Sequence, residues 1–364
     1  MSPDFVPSPD MLGLPVVPWL GRLLMSLTLA VHWMLIGGAV GGTAILLAAA
    51  LRRRARPDLA NAGRALGPPV IFFLSMGATF GIAPLLLVQV LYGNVLYSAN
   101  VLLAFWWLGI VPLVITAFYL LYHVRRRSAE ERPVGAWAPA LVLVALGLVA
   151  AILVSDTLLS QRPDAWAGFY HAHGGKALFV DDATYAPRLA FALLGLLAVG
   201  GIMTAIAAKG GLVHDVQARP IVVEAGLRLA AVTSVLWVAA GVLLLLLVPA
   251  HERDALLAAD GAGPWAWVAA AALASTVVTA LVARRRPSGA RVGLAAAACF
   301  AGLFALAYVR DVVRQQAVSP YFRLSDVPVN PQWGPFVVFL AMLGAGIVAL
   351  MALVYLARAP KGKE

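Results

Sequence analysis

Apolar residues occupy this chain in long unbroken blocks, each closed by a short cluster of arginine, glycine, proline or acidic residues. A block of roughly 20 residues crosses a hydrocarbon core about 30 Å thick at 1.5 Å per residue, so each block predicts a membrane-spanning helix. Nine such helices are predicted, over 20–51, 67–93, 97–123, 135–160, 187–209, 222–249, 264–283, 291–313 and 334–357. The first block is the longest. Pro15, Pro18 and Trp19 precede Arg22 in it and predict a short helix on the membrane surface before the span proper. The block runs far past signal-peptide length and is expected to remain as an anchor.

Composition agrees with this pattern: 62% of the 364 residues are hydrophobic and 12% charged, against about half and a quarter in soluble domains. The formal net charge of +10 does not describe a nucleic-acid surface, because the basic residues sit at the ends of apolar blocks. With the N-terminus outside, 19 of the 27 basic residues fall on the cytoplasmic side. Only Arg22, Arg162, Lys176, Arg188, Arg253, Arg310, Arg314 and Arg323 fall on the other. The bias has one sign at every connection, which sets the N-terminus outside and the C-terminus in the cytoplasm. The expected fold is therefore an all-α polytopic membrane protein with about nine transmembrane helices, forming a single membrane domain over 1–364. It carries an outer N-terminal segment, 1–21, and larger outer loops at 161–186 and 311–333, with a further outer stretch from His251 to Gly263. None is long enough for an independent domain.

Candidate chemistry is sparse. The single cysteine, Cys299, lies in an apolar block and no Cys-x-x-Cys-His occurs, which excludes disulfides, covalent c-type haem and cysteine-ligated iron–sulfur clusters within the chain. Polar groups inside hydrocarbon are costly and become functional candidates by default. His32 on the first helix and Gln89 on the second are the clearest, followed by Arg228 on the sixth. Asp156, His251 and the Arg310–Asp311 pair lie at outer helix ends. A neutral imidazole facing a bundle is suited to haem ligation, but a lone one is more often a hydrogen-bonded structural histidine, and Met76 could be a weak axial ligand where methionine more often fills the core. His171-x-His173 lacks further ligands nearby and reads as a solvated loop, and His123 and His214 read as interfacial. Small residues such as Gly37, Gly38, Gly41 and Gly42, or Gly344 and Gly346, suit close helix packing. No P-loop or Gly-x-Gly-x-x-Gly is present.

Two stretches carry a family resemblance. Arg22-Leu23, Ser26-Leu27-Thr28 and His32 resemble the first helix of subunit I of cytochrome bd quinol oxidases, including the ten-residue step from arginine to histidine. Gly77-Ala78-Thr79-Phe80-Gly81-Ile82 through Gln89 and Gly93 is similar to that subunit's second helix, and Ala145-Leu146-Gly147 with Gln161-Arg162-Pro163 continues the likeness. The resemblance implies a divergent, shortened relative in which His32 takes the place of the first-helix haem ligand. Arg22, Met76 and Gln89 are its companions in the cofactor site, and one b-type haem is the cofactor. It also implies a multi-pass protein of the bacterial cytoplasmic membrane. The implied partners are other membrane subunits, quinone and periplasmic c-type cytochromes.

The departures bear equally on function. Arg188-Leu189-Ala190-Phe191-Ala192 stands where the family has a ligating histidine, and the seventh helix runs through Trp267 and Ala274 to Val282 without methionine. Leu86, Leu87 and Val88 replace an expected acid, the eighth helix has no mid-span glutamate, and the connection before the seventh is too short for a quinol-binding loop. A three-haem quinol oxidase is not expected. Three readings stand: a one-haem electron-transfer subunit of a respiratory complex, a cofactor-free scaffold anchoring periplasmic cytochromes, and a transporter. A transporter would be expected to show repeats or broken helices with matched polar positions, and none is seen.

Overall fold

A computed structural model describes residues 6–9, 12–248, 253, 254, 257 and 263–358. Among them are eleven α-helices: α1 Pro18–Leu51, α2 Pro57–Arg64, α3 Gly67–Leu102, α4 Ala104–Ala129, α5 Trp137–Ser160, α6 Trp166–His173, α7 Tyr185–Lys209, α8 Ala218–Leu247, α9 Gly263–Arg285, α10 Gly289–Val318 and α11 Trp333–Arg358. All except the eight-residue α2 and α6 are long and apolar enough to span a membrane, which gives nine spans among the described residues, as the blocks predict. The candidate His251 lies outside the described residues.

Helix α1 is the centre of the bundle. It packs against α3 on one side and α7 on another, with α5 and α10 completing its surroundings; α8 backs α7, α4 backs α5, and α9 backs α10. The glycines of α1 explain how it serves two close neighbours. Gly37 and Gly41 face α7, where a Cβ on Gly41 would lie 2.5 Å from the Cα of Gly200. Gly38 and Gly42 face α3, where added Cβ atoms would strike Phe73 and Val70. Two glycine rows four residues apart thus let two helices close on one, the packing role expected of such residues. Gly344 on α11 meets nothing within 4 Å and Gly346 only Phe80 at 3.9 Å, so α11 lies at the periphery.

Several boundaries differ from expectation, α4 at Ala104–Ala129 against 97–123 among them, and three have a clear local reason. Pro18 opens α1 directly, at a position where its missing N–H costs nothing, and the helix runs unbroken through Arg22 to Leu51 without a separate surface helix. The polar run around Gly93 and Asn94 does not end α3. The backbone leaves helical geometry at Tyr92 (φ −135°, ψ 25°) and then resumes to Leu102, with Ser98 donating to the Asn94 carbonyl (2.9 Å) and Asn94 to that of Pro7 (3.3 Å). Finally, α10 continues five residues beyond the expected 313, because its terminal charges find buried partners rather than water.

The outer segments cap the bundle. Leu14 donates to the Pro328 carbonyl (2.8 Å) and accepts from the Asn330 amide (2.9 Å), joining the N-terminal segment to the 311–333 loop. Gly13 is needed there: its φ is +73°, and a Cβ would fall on the Pro328 carbonyl oxygen. The 161–186 loop folds back through α6, held by Trp166 Nε1 donating to Leu159 O (2.8 Å) and the Phe179 amide donating to Ser155 Oγ (2.7 Å).

Candidate functional site

His32 sits on α1 against α3. Its Nδ1 lies 2.8 Å from the Gly77 carbonyl oxygen. A carbonyl only accepts, so Nδ1 carries a proton, and in the neutral ring this fixes the tautomer in which Nε2 presents a lone pair. No hydrogen bond to Nε2 is found among the described residues. Two glycines one turn apart make room here, Gly81 for the ring itself and Gly77 for Ile36. A Cβ on Gly81 would lie 2.7 Å from His32 Nδ1, and one on Gly77 would strike Ile36 Cδ1 at 2.5 Å. The Gly77-Ala78-Thr79-Phe80-Gly81 stretch therefore has a physical job: it admits the imidazole and supplies its acceptor.

The other expected site residues are placed differently. Met76, next to Gly77, is half-buried and packs against the central apolar core. Gln89 is half-buried further out on α3. Arg22 does not approach the imidazole along the helix: ten residues separate them, about 15 Å of rise. Instead it pairs with Asp311 of α10, its guanidinium also stacking 4.9 Å over the Tyr308 ring. Ser26 and Thr28 satisfy themselves within α1, donating to the Arg22 and Leu24 carbonyls (2.9 and 2.8 Å).

Asp311 organises a buried polar cluster at the outer end of the bundle. It is 1% exposed and accepts from Arg22, from the Tyr92 hydroxyl (2.7 Å) and from Gln315 Nε2 (3.3 Å). Arg314, 6% exposed, lies 5.1 Å over the Tyr92 ring. Arg310 donates to Thr157 Oγ1 of α5 (2.6 Å), and beside it Asp156 accepts from the Asn100 amide (2.8 Å). Burial of this kind is tolerable only with such dense pairing. The cluster brings together α1, α3, α5 and α10, and it sets Arg22, Arg310 and Arg314 against Asp156 and Asp311, an excess of positive charge. Tyr92, Asn100, Arg314 and Gln315 were not expected. The available signal was the spacing of Asp311, Arg314 and Gln315 at i, i+3 and i+4, one face of a helix.

The remaining polar candidates are peripheral. Arg228 is half-exposed and pairs with Glu224 (2.9 Å). His123 stacks on Trp137 at 5.3 Å, and His173 on Phe169 at 5.0 Å; His171 and His214 are exposed. No group of three or more metal-ligating side chains occurs among the described residues.

No family model and no curated protein matches the sequence. A solved structure does match the fold: the bd oxidase from Geobacillus thermodenitrificans, with 13% identity over 94% of this chain and 98% of the matched one, at a TM-score of 0.65. The likeness spans nearly the whole of both chains, so this chain shares the fold of that bd-oxidase chain, as expected of a divergent relative.

Proposed function

We propose that this bd-type frame is a membrane-embedded electron-transfer subunit of a respiratory complex in the bacterial cytoplasmic membrane, in which His32 Nε2 would hold the iron of one b-type haem. The observation that carries the reading is the locked imidazole. A ligating histidine characteristically gives its other ring proton to a carbonyl or carboxylate, which fixes the tautomer and raises the basicity of the ligating nitrogen; the Gly77 carbonyl does this for His32. The donor set would supply one nitrogen ligand to the iron. A haem there would supply a one-electron couple. The residues of the chain would orient the imidazole through Gly77 and exclude water through the apolar faces of α1 and α3. The surplus guanidinium charge of the Asp311 cluster would offset the acidic propionates. Met76 would be an added ligand only by reaching past the core it packs on. The electron partners in this reading are companion membrane subunits, with quinol or an extracytoplasmic cytochrome exchanging the electron.

The test is a reduced-minus-oxidised spectrum and a haem-to-protein ratio of the purified chain, compared with His32→Ala and Gly81→Val. Wild type should carry about one haem; His32→Ala should lose it, with partial recovery on adding imidazole. Gly81→Val keeps the histidine but drives a methyl-bearing carbon into the ring, so it should lower loading while the chain stays monodisperse. Haem retained in full by His32→Ala would exclude His32 as the ligand. Wild type without haem would leave the cofactor-free scaffold as the reading of this fold.

A further inference from the structure

At the basic end of the bundle the short helix α2 lies between two clefts, and their chemistry points away from electron transfer. One, about 250 Å³, opens between α1, α2 and α8. Its rim carries Arg52, Arg56 and Arg228; its wall is Ala44, Ile45 and Ala48 of α1 facing Leu229 and Val232 of α8. The wall runs eight residues along α1 from Arg52 to Ala44, about 12 Å toward the interior of the span. Val232, at 54% exposure, opens it sideways to the surroundings. On the other side of α2 a second cleft of about 270 Å³ is edged by Arg53, Arg54 and Arg64.

These arginines are available. Among the described residues no side-chain partner holds the guanidinium of Arg52, Arg53, Arg54 or Arg64. Arg56 and Arg228 are paired only with the half-exposed Asp58 and the exposed Glu224, and exposed pairs of this kind are worth little and exchange readily. A guanidinium fork prefers a phosphate's oxygens in two-point contact. A basic pocket between spans on the cytoplasmic side is a recognised setting for anionic lipid headgroups.

We infer that the α1–α2–α8 cleft binds an anionic phospholipid, its phosphodiester on Arg52 with Arg56 and Arg228, and an acyl chain along the Ala44–Ala48 and Leu229–Val232 wall. A lipid is the occupant rather than a free phosphate because the apolar wall continues inward from the rim and opens laterally; a small anion would leave that wall without a partner. Glu224 stays compatible because the Arg228 fork has donors enough to hold it and a phosphodiester together, while Arg52 adds a charge that no carboxylate among the described residues offsets. Bound there, the lipid ties the cytoplasmic ends of α1 and α8 to α2.

The experiment is native mass spectrometry of the full chain in detergent, with cardiolipin, phosphatidylglycerol, phosphatidylcholine or inorganic phosphate added, together with thermal unfolding under the same additions. Wild type should retain and be stabilised by the two anionic lipids and not by phosphatidylcholine or phosphate. Arg52→Gln with Arg228→Gln should weaken anionic-lipid binding about 30-fold, the loss of two interfacial charges. Ala48→Phe, which fills the wall without changing charge, should weaken it too. Arg284→Gln with Arg286→Gln, equal in charge and outside the residues that line the cleft, should leave it intact. Equal loss in the Arg284 and Arg286 variant would reduce the effect to general surface charge and overturn the site. Protection by inorganic phosphate matching that of cardiolipin would make it a small-anion site, and unaltered binding in Ala48→Phe would remove the acyl chain from the cleft.

Discussion

Asp311 shows how much one side chain can organise inside a membrane protein. Its carboxylate is almost fully enclosed and takes a guanidinium, a phenol and an amide from three helices. Removing one partner of a buried ion pair leaves the other charge uncompensated, a cost of about 3–5 kcal/mol, whereas losing one neutral hydrogen bond to a buried acceptor costs about 1–3 kcal/mol. Asp311→Ala is therefore expected to lower the thermal midpoint in detergent well below that of Tyr92→Phe, and Arg22→Leu combined with Asp311→Leu should recover much of the loss. A double variant no better than Asp311→Ala alone would show that the pair is not the unit that matters. The same residues separate two roles that the first-helix motif joins in sequence: Arg22 is held by α10, and His32 by α3.

At the scale of the helix, small residues decide which faces meet. The α1–α7 contact is so close that a Cβ on Gly200 would fall 2.1 Å from the Gly37 carbonyl oxygen, and backbone has no rotamer with which to yield. Gly41→Leu or Gly200→Leu is expected to prevent close packing and yield aggregated or low-expressing protein, while Gly344→Leu, with open space around it, should purify as wild type. Size-exclusion profiles and thermal midpoints of the three variants check this; a well-behaved Gly200→Leu would contradict the packing. These elements also mark where sequence reading succeeds and stops. The spans were legible because a lipid-crossing helix must be apolar over its whole length, whatever it packs against. Helix ends were less so, since a polar residue in sequence looks alike whether it exits to water or finds a buried partner. With the eighth span ending at 313, Arg314 and Gln315 read as loop residues, and only Asp156 and the Arg310–Asp311 pair of the cluster are legible. His32 was visible as an isolated intramembrane histidine, but its acceptor is a backbone carbonyl, which no side-chain pattern announces. The reason for the two glycines is spatial: Gly81 leaves room for the His32 ring, and Gly77 leaves room for Ile36 while its carbonyl accepts from the imidazole.

Over the whole molecule, the charge asymmetry and the two kinds of site fall at opposite ends. The locked histidine and the buried ionic cluster belong to the outer half, where α3 kinks and the loops fold over the bundle. The unpaired arginines gather at the other end around α2. Orientation makes this functional, since the proposed haem would face the extracytoplasmic side and the lipid cleft the anionic inner leaflet. The positive-inside bias predicts that orientation, and labelling can decide it with the buried Cys299 left in place. Lys176→Cys, exposed in the 161–186 loop, should react with a membrane-impermeant maleimide in intact spheroplasts. Arg54→Cys, exposed beyond the end of α1, should react only after permeabilisation. The reverse pattern would put the arginine clefts outside and the histidine on the inner side, so that a lipid of the cytoplasmic leaflet could not reach Arg52 and an extracytoplasmic cytochrome could not reach His32.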